Sequence, residues 1–418
     1  MFLHFGPNTF TDSEWGTGHS DPSIFNLLPW IQSNGLESLR TLVRSSKWRN
    51  GTGDVVSEVA EVAKEMGLGL GLYLSPWDRH ESSYGRTLEY NEFFLGQMTE
   101  LLSKCLVCAF VAVEVMGRLR SFSLGLSSSL MLVQIAGGLV MRVELQVLPV
   151  GPCSMPPLIL LVIQITSNGG DPHGHDCVPP ECDGSIRPGW FWHSSKHPKS
   201  ALELLDIYYK SVGRNCLLLL NVPPNSSGLI SDEDVQVLHD FTKLRHETFS
   251  LNLAETATIT ASSTRGGFND PKFGPSQVLK EGIYSYWAPE EGAKDGWALY
   301  FDFGRPLSFN VLQLQEAIHV GQRVIKYHLD VQKDGEWETI VNGTTVGYKR
   351  LQRFQAVESQ VLRLSIKKSR ADPLISFLGI YLEPPPAIGL ELLSFNSCHQ
   401  ARHVRLRDWF WNASKASF

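Results

Sequence analysis

The 418-residue sequence lacks a basic run, and its formal net charge is −6 at pH 7. Proteins that bind nucleic acid usually cluster Lys and Arg on one face, so this class of partner is excluded. A clean membrane span is also missing, because charged residues, Gly and Pro interrupt the longest apolar stretch, 106–165. No secretory leader is visible, and the opening residues MFLHFG read as a core strand. We therefore expect that the N-terminus is truncated.

Cysteine occurs seven times, and this odd number leaves at least one thiol unpaired in an oxidising compartment. Cys105 and Cys108 form a lone C-x-x-C motif. Neither a second pair nor a pair of His residues accompanies it, so we predict no metal site, and nothing in the sequence calls for a cofactor. Three N-x-S/T sequons, at Asn225, Asn342 and Asn412, are compatible with a secreted glycoprotein.

Strand, loop and helix patterns alternate through the first part of the chain. The predicted strands are short apolar runs bounded by Gly, Pro or polar residues, as is typical of buried parallel strands. Polar residues follow these strands, and the alternation favours a (β/α)8 barrel. The predicted elements are strands at 2–5, 68–74 and 217–222 and helices at 54–66, 87–104 and 200–212.

A different pattern begins near residue 251. Short alternating runs, separated by turns every ~8–12 residues, indicate an all-β sandwich. We therefore predict a barrel domain at 1–250, a β-sandwich at 251–383 and a tail at 384–418. The stretch 105–166 follows neither a helical nor a strand period, and no element is placed in it. The predicted strands of the sandwich are 257–261, 297–303, 310–315, 325–331, 337–341, 361–366 and 375–381.

The first informative motif is HFGPNTFTDSEWG at residues 4–16. It places His4, Glu14 and Trp15 where the first predicted strand meets its loop. Hydrogen-bonding side chains beside an aromatic ring suit the hydroxyl groups of a monosaccharide. A core His and a surface Glu would fit the same pattern, so both interpretations stay open.

Five runs together resemble the plant-type α-L-fucosidases of glycoside hydrolase family 29, in the order that this family has them. The resemblance covers roughly 1–26, 46–104 and 167–250, and the sandwich resembles the discoidin-like module of the same family. The runs are HFGPNTFTDSEWG (4–16), GLGLYLSPWDRH (69–80), VPPECDGSIRPGWFWH (178–193), SVGRNC (211–216) and NVPPN (221–225).

The resemblance implies a secreted hydrolase that removes terminal α-L-fucose, with retention, from fucosylated oligosaccharides or glycoprotein glycans. This chemistry uses an Asp nucleophile and a Glu acid/base whose carboxyl groups lie about 5–5.5 Å apart. It needs no metal or cofactor. The substrate-binding residues that the resemblance implies are His4, Glu14 and Trp15 in the pocket, with Trp77, His80, Glu181 and Trp190 on its rim or wall.

Three segments of the family pattern are missing. They read roughly A-K-H-H-D-G-F, which supplies pocket histidines, W-L-D-G-A, which carries the nucleophile, and W-I-G-D-E, which carries the acid/base. Over 130–155, a shift of one nucleotide in the reading frame permits the family's own sequence around W-I-G-D-E. We therefore interpret 105–166 as largely non-native sequence, and we predict an incomplete (β/α)8 barrel followed by a discoidin-like sandwich, without activity.

Two other interpretations remain. The chain could be a non-catalytic carbohydrate-binding protein, with a site at the loop end of the sandwich. Alternatively, the sequence could be an erroneous gene model of an active fucosidase whose real product carries the missing strands. The residues considered for the loop-end site are Tyr286, Trp287, Trp297 and Arg323.

Overall fold

A computed structural model describes most of the second half of the chain and parts of the first. All of the described residues except the last two, Pro384 and Pro385, belong to one compact unit, residues 1–383. The described residues are 3–4, 6–21, 24, 57, 60–61, 70–74, 78–104, 108–113, 128–135, 139–146, 180–293 and 296–385.

The α/β part contains four helices and six strands among the described residues. The helices are α1 (Pro7–Phe10), α2 (Thr87–Lys104), α3 (Ala201–Lys210) and α4 (Asp232–Phe249). The strands are β1 (Leu70–Leu74), β2 (Cys108–Val113), β3 (Ser128–Ile135), β4 (Leu139–Gln146), β5 (Pro180–Ser185) and β6 (Leu217–Asn221).

Most predicted elements of the α/β part are confirmed within a few residues. β1, β6, α2 and α3 lie inside the ranges 68–74, 217–222, 87–104 and 200–212. The predicted helix 54–66 falls largely outside the described residues. The predicted strand at 2–5 is wrong for Leu3 and His4, which lie outside any strand. The backbone N–H of His4 donates to the side chain of Asn221 instead of to a neighbouring strand.

Both parallel and antiparallel pairings occur in the α/β part. β1 pairs in parallel with β2, and β5 pairs in parallel with β6. β3 and β4 form an antiparallel pair, and β4 also runs antiparallel to β5. A (β/α)8 barrel is built from parallel strands only, so the β4–β5 pairing departs from barrel geometry. Whether the ring is incomplete stays a prediction, and so does the non-native origin of 105–166.

Helix α3 begins at a capping box, in which Ser200 and Glu203 satisfy each other's backbone N–H groups. Its apolar face, with Leu204 and Ile207, packs against side chains of β5 and β6 and of the residues beside them. A disulfide between Cys182 on β5 and Cys216, just before β6, joins the same two strands. The disulfide therefore joins the two strands near their N-terminal ends, opposite the edge at which β5 and β6 end.

The all-β part follows as one antiparallel sheet of six strands. Its order is β10-β9-β11-β8-β12, and β7 pairs with the first half of β8. The bounds are β7 (Thr258–Ala261), β8 (Ala298–Glu316), β9 (Val324–Lys333), β10 (Glu336–Thr344), β11 (Arg350–Ser369) and β12 (Ile375–Tyr381). Every predicted run lies in or within a residue of a strand, but 297–303 and 310–315 are parts of the single strand β8.

The core of the all-β part is large and aromatic. Trp287, Phe301, Phe309 and Tyr327 are fully buried there, together with Leu and Ile residues of the long strands. Irregular registers interrupt the pairing of β8 with β11 in two places. Such irregularities bend a strand, which lets 19- and 20-residue strands wrap around one core. The discoidin-like character of this part stays a prediction.

The two parts are joined by a tight junction. Asn215, with φ +65°, accepts a 2.6 Å hydrogen bond from the Lys349 N–H and donates a 3.0 Å bond to the Val346 carbonyl. Leu351 N–H donates to the Gly213 carbonyl at 2.9 Å. The SVGRNC run therefore holds the sandwich against the α/β part.

A second set of contacts lies beside this junction. The Arg353 guanidinium stacks 3.7 Å from the ring centre of Tyr209, and both side chains bind the Glu383 carboxylate at 2.8 Å. Below them, α3 and α4 bury apolar side chains against Val311 and Tyr381 of the sandwich. Burial with the Glu383 carboxylate nearby raises the pKa of the Tyr209 phenol, which keeps it a hydrogen-bond donor.

Candidate functional site

Asn221 is the centre of the candidate site. It is the last residue of β6, it lies opposite Ser185 at the end of β5, and it is fully buried. Its Nδ2 donates to Ser185 Oγ and to the Trp190 carbonyl, each at 2.9 Å. Its Oδ1 lies 3.1 Å from both His4 N and His4 Nδ1. One amide thus joins two parallel strand ends, the loop 186–193 and the N-terminal segment.

The rings of His4, Trp190 and Phe191 form an aromatic corner above this amide. The His4 ring centre lies 5.0 Å from that of Trp190 and 5.7 Å from that of Phe191. His4 and Trp190 are both half-buried, so each keeps some exposed surface. An aromatic face beside hydrogen-bonding groups, at the carboxyl ends of parallel strands, is a suitable place for a small polar ligand.

Glu14 ties the N-terminal loop to the loop 186–193. Its Oε1 accepts a 2.6 Å hydrogen bond from the Trp190 N–H, and its Oε2 accepts one from Phe191 at 3.4 Å. The buried His193 ring bridges two carboxylates, with Nε2 3.1 Å from Glu14 and Nδ1 2.8 Å from Asp12. The two carboxylates are therefore held by one ring.

The conformation of Gly189 permits this contact. Its φ is +92°, a region that side chains rarely adopt. A Cβ at this position would also collide with the Glu14 carboxylate. Glycine is therefore required both for the turn and for the close approach of Glu14.

Behind the loop 186–193, a buried ion pair anchors it to α4. The Arg187 Nε lies 2.9 Å from both carboxylate oxygens of Asp234, and neither residue is appreciably exposed. Burial raises the pKa of Asp234, and the Arg187 guanidinium opposes that shift. Trp192 adds a 2.9 Å hydrogen bond to Ser231, just before α4. The backbone that carries Trp190 is thus held from behind.

The structure brings together three of the predicted site residues, His4, Glu14 and Trp190. The Trp15 side chain is 69% exposed. His80 contacts the same N-terminal loop, since its Nδ1 lies 2.9 Å from the Gly18 carbonyl. The backbone of Glu181 pairs with Leu217 of β6. Its side chain and the whole of Trp77 lie outside what the structure describes.

The prediction missed His193 and Asn221, although both stand inside the quoted runs. Asn221 ends a predicted strand, and a polar residue at that position is a usable signal. His193 has no such signal, because its partners Asp12 and Glu14 are 181 and 179 residues away.

The carbohydrate-binding site considered at the loop end of the sandwich is wrong for its two tryptophans. Trp287 is fully buried and donates from Nε1 to the Ser263 carbonyl, and Trp297 is only 9% exposed. Both belong to the core of the sandwich. Their apolar area is used for packing, so neither ring is open to a ligand.

Within the described ranges, no helix combines the length and the apolar character needed to cross a bilayer. In the same part of the chain, no group of three or more His, Cys, Asp and Glu side chains is arranged to hold a metal ion.

Solved structures of glycoside hydrolases share this combination of an α/β part and a β-sandwich, so the chain has the fold of a glycoside hydrolase. The crystal structure of SpGH29 has 31% identity and a TM-score of 0.73 over 92% of this chain and 95% of its own. A Ruminococcus gnavus GH29 fucosidase in complex with fucose has 26% identity and a TM-score of 0.70 over 92% of each chain. No family model matches the sequence.

A curated plant relative is more similar in sequence. Alpha-L-fucosidase 1 of Arabidopsis thaliana is 49% identical over 430 residues, which cover 92% of this chain and 85% of the relative. The chain therefore belongs to the α-L-fucosidases of glycoside hydrolase family 29.

Proposed function

We propose that this chain binds terminal α-L-fucose of fucosylated oligosaccharides or glycoprotein glycans and does not hydrolyse it. The carrying observation is the absence of both W-L-D-G-A and W-I-G-D-E from the sequence. Without these runs, the Asp nucleophile and the Glu acid/base of the family are missing. Retaining hydrolysis needs both carboxyl groups across the anomeric carbon.

The candidate site supports the binding half of this proposal. His4 and Trp190 offer an imidazole and an indole face, and Asn221 fixes both in place. A related GH29 fucosidase was solved with fucose bound. Trp15 and His80, on the same N-terminal loop or in contact with it, would extend this wall.

The site also supports the loss of hydrolysis. Asp12 and Glu14 share the His193 ring, and Glu14 also accepts backbone N–H groups through both oxygens. These carboxylates hold the N-terminal loop and the loop 186–193 together, and this structural role supports the loss of hydrolysis. The antiparallel β4–β5 pairing further supports an incomplete ring.

The proposal includes secretion. The Cys182–Cys216 disulfide is typical of an oxidising compartment. The exposed Asn342, within an N-x-T sequon, is compatible with glycosylation there.

Incubation of the purified chain with 4-nitrophenyl α-L-fucoside tests the catalytic half. We expect no nitrophenol release above that of a heat-denatured sample. Release that the unheated chain sustains, and that Glu14→Gln abolishes, would refute the loss of hydrolysis.

Saturation-transfer NMR with L-fucose tests the binding half. We expect a signal that His4→Ala removes and that His19→Ala, an exposed histidine of the same loop, leaves unchanged. A signal equally strong with D-galactose, or unaffected by His4→Ala, would contradict fucose binding at this wall.

The erroneous gene model stays a second candidate, because a shift of one nucleotide over 130–155 permits the family sequence. Sequencing the transcript across the codons for 26–47 and 104–167 separates the two. A transcript that encodes W-L-D-G-A and W-I-G-D-E would assign hydrolysis to the real product.

A further inference from the structure

An exposed row of rings lies on the sandwich, away from the residues that form its core. The ring centres of Tyr284 and His319 are 5.0 Å apart, those of Tyr286 and His319 are 6.1 Å apart, and Phe273 follows Tyr286 at 5.6 Å. Tyr284 is 80% exposed, His319 is exposed, and Tyr286 is half-buried. Tyr284, Tyr286 and His319 are called the aromatic row below.

A small apolar cluster of its own supports this row from beneath. Tyr286 and Phe273 pack on the buried side chains of Ala288, Ala317 and Leu374. Ala317 N–H also donates to the Leu374 carbonyl at 3.1 Å. The row therefore stands on a packed base.

Both loops that carry the row are fixed at their ends. Trp287 exchanges backbone hydrogen bonds with Ile375, at 2.8 and 3.2 Å, directly after Tyr286. Before Tyr284, the Glu281 carboxylate accepts bonds from Gln313 and Gln315 at 3.1 and 3.0 Å. A rigid loop loses little conformational freedom when a ligand binds, so these rings are held ready for contact.

The turn with His319 is held equally firmly. The fully buried Glu316 accepts backbone hydrogen bonds from Arg323, Val324 and Gly347 at 2.8 to 2.9 Å. These bonds close the segment 316–324 around His319. Its imidazole is consequently presented at a fixed position beside Tyr284.

From this geometry we infer a second carbohydrate-binding surface, in which the aromatic row takes a pyranose ring of a glycan chain. The C–H groups of a pyranose face carry partial positive charge and are attracted to the negative face of an aromatic ring. The phenol hydroxyls and the imidazole can form hydrogen bonds with sugar hydroxyls. This surface goes beyond the proposed fucose site and does not depend on it.

The surroundings favour a sugar over a protein partner. Stable protein interfaces bury about 800 Å² on each side, far more than three rings provide. An ion pair of Arg265 and Asp372, at 2.9 Å, borders the row where Arg265 lies 5.6 Å over the Phe273 ring. A polar border of this kind can contact the hydroxyl groups around a stacked ring.

Affinity electrophoresis of the full chain tests this inference. Three native gels are compared: one without polysaccharide, one with fucose-free xyloglucan and one with α-mannan. None of them contains a ligand for the proposed fucose site. We expect retardation in at least one polysaccharide gel, and the gel that retards identifies the source of the sugar. Tyr284→Ala should weaken the apparent affinity at least about fivefold, as expected for loss of a stacking ring.

Two variants make the test specific. Tyr284→Phe keeps the ring and should keep most of the retardation. Tyr348→Ala removes a tyrosine that is 53% exposed and is not in ring contact with the row, and it should migrate like the wild type. Any one of three results overturns the inference. These are no retardation in either polysaccharide gel, an unchanged affinity in both Tyr284→Ala and Tyr284→Ala/His319→Ala, or a loss of affinity in Tyr348→Ala equal to that in Tyr284→Ala.

Discussion

Replacement of Asn221 by Ala should destabilise the α/β part more than a typical single substitution. The side chain is fully buried, and its amide takes part in contacts with His4, Ser185 and Trp190. Asn221→Ala removes all of these contacts at once. It leaves the Trp190 carbonyl and the His4 N–H without the partner they have in the native fold.

The expected magnitude follows from the contacts. Four hydrogen bonds, at a net value of about 0.5–1.5 kcal/mol each, give roughly 2–6 kcal/mol. The whole free energy of unfolding of a domain is about 5–15 kcal/mol. Asn221→Asp keeps the acceptor for His4 but loses both donated hydrogen bonds. Its loss of unfolding free energy should be smaller at acid pH, because a protonated carboxyl can again donate one hydrogen bond.

Urea unfolding followed by tryptophan fluorescence measures this change. Asn225→Ala is the matched control, since the side chain of this half-buried residue of the same segment accepts hydrogen bonds from the N–H groups of Ser227 and Leu229. We expect it to lose about 1–3 kcal/mol. If Asn221→Ala stays within about 1 kcal/mol of the wild type, Asn221 does not hold the site together.

Three further predictions concern other parts of the fold. Cys182→Ser opens a link between residues 34 apart, which should lower the free energy of unfolding by about 4 kcal/mol; equal urea midpoints of variant and wild type under oxidising conditions would contradict this. Burial raises the pKa of Glu316 from 4.5 to about 7, so the folded state binds the proton more tightly than the unfolded state. The contribution of Glu316 to the free energy of unfolding is therefore full below pH 4.5 and falls by about 3 kcal/mol as the pH rises through 7. Thermal unfolding of the wild type and of Glu316→Gln from pH 4 to 8 measures this change. A stability difference between the two proteins that does not vary with pH would refute it. Gly189→Ala should cost about 1–3 kcal/mol more than Gly85→Ala, because both glycines have φ near +90° but only the first would meet the Glu14 carboxylate; equal urea midpoints of the two variants would argue against the collision.

Local patterns predicted the sandwich well, because its strands alternate strongly. The predicted run 375–381 has the same bounds as β12. β8 was predicted as two strands, 297–303 and 310–315, and Gly304, Arg305 and Pro306 lie between these two runs. In the fold the chain stays extended there, and the register with β11 shifts instead. A register shift depends on the partner strand, which a local pattern does not contain.

Among the helices too, one was predicted from the local sequence and another was not. α2 was predicted with the observed bounds, 87–104. α4 was not predicted; its mean hydropathy is low, and its first turn is acidic. Its stability depends on packing against α3 and on the Arg187–Asp234 pair. Neither is visible in the local sequence.

The candidate site could be predicted only where family motifs carried it. His4, Glu14 and Trp190 were named from runs at 4–16 and 178–193, and the fold brings them together. Asn221 joins His4 across 217 residues, a separation that leaves no periodic signal. The elements within 105–166 were not predicted, because that stretch follows no regular period.

The junction between the two parts makes each part depend on the other for the burial of its apolar surface. Its apolar faces, with Leu205 and Tyr209 on one side and Val311 and Tyr381 on the other, would be wetted if the polypeptide were severed near residue 250. Exposed apolar faces of this kind promote aggregation, so we expect cleavage near residue 250 to yield insoluble fragments.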